Sequence, residues 1–152
     1  MRRVSNAITK ILKTADAHCD GPCGVYDPAS ARIAGEAVQS MTKKMMALEN
    51  SDADCNTAAY INTMSRYASI KEEEAQKCKD ELLVLWTDYF KPAHLEKNPD
   101  LHDVFWKAAK LCSACKVEVS EEHAQELMDA IEHIHVLFWA TKEKEVPWIR
   151  AS

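Results

Sequence analysis

His18, Cys19 and Cys23 put an imidazole and two thiols within six residues, in the run His-Cys-Asp-Gly-Pro-Cys-Gly-Val-Tyr-Asp-Pro from His18 to Pro28. A cut between Ala17 and His18 adds a free amine to the same segment. That amine, the amide nitrogen of Cys19 and the Cys19 thiolate then close two fused five-membered chelate rings. Cys23 supplies a second thiolate, with Gly21-Pro22 turning the chain back. The donor set is two nitrogens and two sulfurs in a plane, with the His18 imidazole free to add from the axial side. Planar nitrogen and sulfur coordination suits Ni(II) or Cu(II), whereas zinc prefers a tetrahedron. The same two cysteines could instead close a disulfide across a tight loop.

The elements that must carry this hook read as helices. Asp27-Pro28 is a helix start, with Asp27 able to cap and Pro28 suited to the first turn. From Ala29 to Glu49, Ile33, Ala37, Val38, Met41, Met45 and Leu48 recur at helical spacing. Asn50-Ser51-Asp52 breaks the pattern. A second helix is expected from about Cys55 to Phe90, with Ala59, Met64, Tyr67, Ile70, Leu82, Leu85 and Trp86 on its apolar stripe. The Lys71-Glu72-Glu73-Glu74 run in it reads as a solvated face. Pro92 and Lys97-Asn98-Pro99-Asp100 mark a turn. A third helix runs from Asp100 to Lys116, and a fourth starts after Ser120 as its cap. Four amphipathic helices with short connections predict an all-α protein, an antiparallel four-helix bundle over residues 29–144. The tail from Glu145 to Ser152 has no strong pattern, though Pro147-Trp148-Ile149 could pack onto a neighbour.

Composition narrows the class. The 152 residues are 47% hydrophobic with three glycines and five prolines, which suits one helical domain and argues against an all-β fold. A net charge of −5 argues against nucleic acid as a partner. No apolar run approaches the ~20 residues of a membrane span. Residues 1–17 carry Arg2 and Arg3 and a small-x-small Ala15-Asp16-Ala17, as a secretion signal does. Asn6, Lys10 and Lys13 interrupt the apolar stretch that secretion requires. By pattern alone this segment is a short amphipathic surface helix. Six cysteines without a secretion signal point to reduced thiols and a cytoplasmic protein. Cys112-x-x-Cys115 lies in a helical pattern with no second pair, so both read as helix-packing residues.

The residues around the hook resemble the nickel superoxide dismutase family. The match covers His18 to Pro28 and Ala31-Arg32-Ile33. It returns as Val84-Leu85-Trp86-Thr87-Asp88-Tyr89-Phe90-Lys91-Pro92, as His94-Leu95-Glu96-Lys97 and as Phe138-Trp139-Ala140-Thr141-Lys142. The resemblance implies superoxide dismutation by Ni(II)/Ni(III) cycling, with one nickel ion per subunit held by His18, Cys19 and Cys23. It implies that a peptidase removes residues 1–17 as a leader, leaving 18–152 with the hook at 18–28, and that subunits assemble as hexamers. Two thiolates and an amidate donate strongly enough to stabilise Ni(III), which aqueous nickel does not reach. Copper is not excluded by that chemistry, so nickel rests on the resemblance.

The resemblance also assigns roles around the metal. Tyr26 stands over the open metal face, and Tyr89 is a second tyrosine near it. Without the resemblance, Tyr26 is an ordinary surface tyrosine and Tyr89 a helix-packing aromatic. Apart from the resemblance, Asp20 and Asp88 could tune the hook by hydrogen bonding, and Lys91 could help attract the superoxide anion, since local field steers more than net charge. Better-known members carry a glutamate in the first helix that supports the axial imidazole, paired with an arginine from the second. Here those positions read Ala34 and Glu74. A carboxylate at Glu74 replacing the lost one is one reading, and membership of the solvated run is the other. His102, His133 and His135 lack the partners a metal needs. The rival functions are a non-enzymatic nickel or copper carrier with the same hook, and a helical interaction module with a Cys19–Cys23 disulfide. A carrier has no use for a tyrosine-gated face.

Overall fold

The computed structural model describes residues 24–151. Helix α1 spans Ala29–Glu49, α2 Ala58–Val84, α3 Pro92–Lys97, α4 Leu101–Val117 and α5 Glu121–Thr141. The described residues contain no strand. The four long helices form a ring in which α1 packs on α2, α2 on α4, α4 on α5 and α5 back on α1. The bundle is thus the expected architecture, with α3 as a short extra element where a plain turn was expected.

The caps explain the boundaries. Asp27 Oδ1 accepts from the Ala29 amide at 2.8 Å, so it does support the first turn, while Pro28 sits at the capping position itself. Thr57 Oγ1 accepts from the Tyr60 amide and starts α2 a few residues later than expected. Ser120 Oγ accepts from the His123 amide and starts α5 as expected. The α-helical pattern of α2 does not run on to Phe90. It opens at Leu85–Tyr89 into one π turn, closed by the Phe90 amide on the Leu85 carbonyl at 3.1 Å. Pro92 then holds Lys91 extended, at φ −126° and ψ 164°, and the helix cannot continue.

The core is made by Ala31, Ala34 and Val38 of α1, Ala75, Cys78 and Leu82 of α2, Phe105, Ala108 and Cys112 of α4, and Leu127, Ile131, Ile134 and Phe138 of α5. Each large side chain among these contributes roughly 1.5–3 kcal/mol by leaving water. On α1 the buried face is turned from the one the hydropathy pattern suggests. Ile33 is 55% exposed, and the small residues Ala31, Ala34 and Gly35 face the interior. Close approach of α5 selects Gly35: a Cβ there would stand 2.6 Å from Ile131 Cδ1. Ile70 is likewise exposed.

Lys71 corrects the reading of its charge run as a solvated face. It is only 4% exposed, and its ammonium donates to the carbonyls of Lys116 and Glu118, each at 3.0 Å, and to that of Cys115. These are the last carbonyls of α4, which have no partner inside the helix. Burial lowers the Lys71 pKa, and the neighbouring Cys115 and Glu72 oppose that shift. Cys78, Cys112 and Cys115 are buried free thiols between α2 and α4, in the packing role expected for the α4 pair.

The tail also packs on its own chain. The His135 ring meets the Val146 carbonyl at 2.8 Å and lies 5.3 Å from the Trp148 ring. Arg150 donates to Gln39, and the Ala151 amide donates to Glu36 Oε2 at 2.8 Å. Glu36 also holds Arg32 at 2.7 Å. The tail therefore bridges α5 to the first half of α1.

Candidate metal centre

One end of the bundle gathers the start of α1, the π turn, α3, the start of α4 and the end of α5. Tyr26 precedes α1 and Tyr89 closes the π turn, yet their ring centroids lie 5.4 Å apart at an interplanar angle of 53°. Sixty-odd residues of chain separate them, so the bundle, and no local motif, makes this pair. His18, Cys19, Asp20 and Cys23, with the Ala17–His18 junction, lie outside the described residues. Tyr26 is three positions beyond Cys23. The last hook residues thus enter the bundle at its tyrosine end.

Tyr89 is held on every side. Its ring packs on Phe138 at 4.6 Å, on Phe90 edge-on at 5.1 Å and on His94 at 5.8 Å. Its hydroxyl meets Thr141 Oγ1 at 2.5 Å. The Lys142 ammonium sits 5.4 Å from its centroid and 5.0 Å from that of Phe138. His94 is fixed in turn, because its Nδ1 accepts from the Lys91 amide at 3.1 Å. The π turn matters here because its wider turn changes the phase of the residues in it relative to α2, and Tyr89 is the last of them.

The other expected residues divide. Asp88 is exposed and accepts from the Thr87 hydroxyl at 3.0 Å. Lys91 is exposed. The cation found over the Tyr89 ring is Lys142, which the sequence reading quoted without a role. Ala34 is fully buried in the core. Glu74 has a side chain 26% exposed, with Lys77 Nζ at 3.8 Å. It is therefore less solvated than Glu72, whose side chain is 57% exposed. A small cavity of about 60 Å³ beside Tyr26 is lined by Val25, Asp27, Ser30, Glu81, Val84 and Leu85. Glu81 is a carboxylate the sequence reading missed. Its signal was its place seven residues after Glu74, on the same face of α2 two turns on.

The described residues contain no group of three or more His, Cys, Asp or Glu side chains able to hold a metal. The donors of the hook are the set whose chemistry fits a soft, redox-active ion: two thiolates with nitrogen ligands. No helix among the described residues is long and apolar enough to cross a membrane.

Known proteins resemble this chain in sequence and in fold. A family model for nickel-containing superoxide dismutase matches residues 13–142. The nickel superoxide dismutase of Streptomyces seoulensis is 43% identical over 127 residues, 84% of this chain and 89% of the relative. That of Streptomyces coelicolor is 42% identical over 130 residues, 86% of this chain and 92% of the relative. A native nickel superoxide dismutase structure superposes with a TM-score of 0.73 at 40% identity, over 84% of this chain and all of that one.

Proposed function

We infer the reaction from kinship: the chain belongs to the nickel-containing superoxide dismutase family, and it is an oxidoreductase that turns two superoxide anions and two protons into dioxygen and hydrogen peroxide. Bound nickel supplies the one-electron couple for both half-reactions. The residues that would hold it are His18, through its freed amine and its imidazole, Cys19, through its amide nitrogen and thiolate, and Cys23, through its thiolate. Each subunit holds one ion. The leader must come off first, because in the uncut chain the His18 nitrogen is an amide whose lone pair is delocalised into the Ala17 carbonyl, and it cannot act as the amine ligand.

The observation that supports this site is the Tyr26–Tyr89 pair, 5.4 Å between centroids at the bundle end where the hook enters. Two phenols there narrow the approach to a small species and order its water. Lys142 places a positive charge beside them, which favours arrival of an anion. Asp20 and Asp88 hydrogen-bond around the hook. Glu74 orients the His18 imidazole as a positioning residue in place of the carboxylate absent at Ala34. The unpaired Cys55, Cys78, Cys112 and Cys115 suit a reducing compartment, the cytoplasm. There a peptidase removes residues 1–17, and the mature chains associate as a hexamer.

The test compares protein beginning at His18 with the full chain, each loaded with nickel, by superoxide decay. The mature form should be active and the full chain nearly inactive. Cys19→Ser and Cys23→Ser should each abolish activity and the sulfur-to-nickel charge-transfer absorption, because hydroxyls are too hard for this ion. Equal rates from the two forms would sink the amine-ligand reading.

A further inference from the structure

Thr141 ends α5 and lies outside the hook, yet its hydroxyl is joined to the tyrosine pair. Its Oγ1 is 2.5 Å from the Tyr89 hydroxyl and 2.6 Å from the Phe138 carbonyl oxygen. A carbonyl oxygen can only accept. Thr141 has one hydroxyl proton, and the Phe138 carbonyl takes it. The short contact with Tyr89 must then be made by the Tyr89 proton, with Thr141 accepting. The ring contacts with Phe138, Phe90 and His94 hold the phenolic oxygen in place beside Thr141.

We propose that Thr141 is a positioning residue for the dismutase reaction: by taking the phenolic proton of Tyr89, it makes Tyr89 a hydrogen-bond acceptor toward the nickel site. This rests on the reading that Tyr26 and Tyr89 border the metal. An acceptor there receives the O–H of water or of the hydrogen peroxide product. It offers no donor to a free anion, so superoxide is not held as a tightly bound ground state. Binding an anion tightly before reaction lowers KM without raising kcat, so the absent donor is consistent with fast turnover. The chain runs Tyr89 to Thr141 to the Phe138 carbonyl and stops there, so it orients a proton and does not relay one.

The probe is azide, a small anion, titrated against nickel-loaded protein beginning at His18. Thr141→Val keeps the shape and removes the acceptor, which releases the Tyr89 hydroxyl to donate to the anion. Azide should bind about tenfold more tightly, the scale of one added hydrogen bond to a charged group. Thr141→Ser should restore the original affinity. In a Tyr89→Phe background the Thr141→Val change should have no effect on azide. A second readout needs no metal: in the full chain, the Tyr89 hydroxyl proton should be protected from exchange and show a nuclear Overhauser contact to the Thr141 methyl. Unchanged or weaker azide binding in Thr141→Val overturns the proposal, as does loss of azide control in Thr141→Ser. If Tyr89→Phe alone alters neither the superoxide decay rate nor the Ni(III) paramagnetic resonance signal, the placement of Tyr89 at the metal fails, and the proposal with it. If Tyr89→Phe does alter one of them while Thr141→Val leaves azide unchanged, only the role of Thr141 fails.

Discussion

Raising the pH should destabilise this protein through its core thiols, and Cys115 shows how strongly. Burial pushes the Cys115 thiol from 9.0 up to about 11, with Cys112, Glu118 and Glu126 adding to the shift and Lys71 opposing it. A hydrogen bond with Cys112, and then burial, raise Cys78 as well. The folded values lie above the unfolded ones, so the unfolded chain loses these protons first. The stability tied to the protonated thiols is whole below pH 9 and declines as pH rises through about 11. At pH 10 the gap for Cys115 amounts to one pH unit of its shift, a tenfold loss in the folding constant or about 1.4 kcal/mol. Lys71 acts the other way, since its lowered pKa gives stability that grows with pH up to 10.5. The perturbation is Cys115→Ala, and the assay is urea unfolding of the reduced full chain at pH 8, 9 and 10. The variant starts less stable because it loses sulfur packing, but it should decline about 1.3 kcal/mol less between pH 8 and 10. A parallel decline in both proteins would refute the reasoning.

Glu74→Ala in mature protein should retain nickel and lose about 10–100-fold in activity, with a changed Ni(III) paramagnetic resonance signal, whereas Glu73→Ala should be near neutral. An unchanged spectrum and rate in Glu74→Ala would show that another group supports His18. Truncation after Lys144 removes the Trp148–His135 contact and the bonds of Arg150 and Ala151 to α1. Buried Glu36 then loses one of its two donors, so thermal unfolding should show a loss of about 1–3 kcal/mol.

What the sequence alone determined is what depends on short spacing. The hook donors are adjacent, so their chemistry can be written without a fold. Helix α1 came out at Ala29–Glu49 and α5 after its Ser120 cap because caps and helical periodicity act over a few residues. Four amphipathic segments then left a bundle as the natural way to bury their stripes. The tertiary structure decided which side of each helix that burial used. Ile33 reads as core but faces out, and the buried side of α1 includes Gly35, where α5 comes so close that a Cβ would strike Ile131. Lys71 reads as solvated but is drawn inside, because the end of α4 brings it three unsatisfied carbonyls. The tail had no pattern because its partners Glu36 and Gln39 lie on α1, more than a hundred residues away, and His135 lies outside the tail on α5. The tyrosine pair and the Thr141 contact arise the same way. Tyr26, Tyr89 and Thr141 are recognisable as residues, but only the packing of α1, the π turn and α5 at one end puts a phenol against a phenol and a hydroxyl within 2.5 Å.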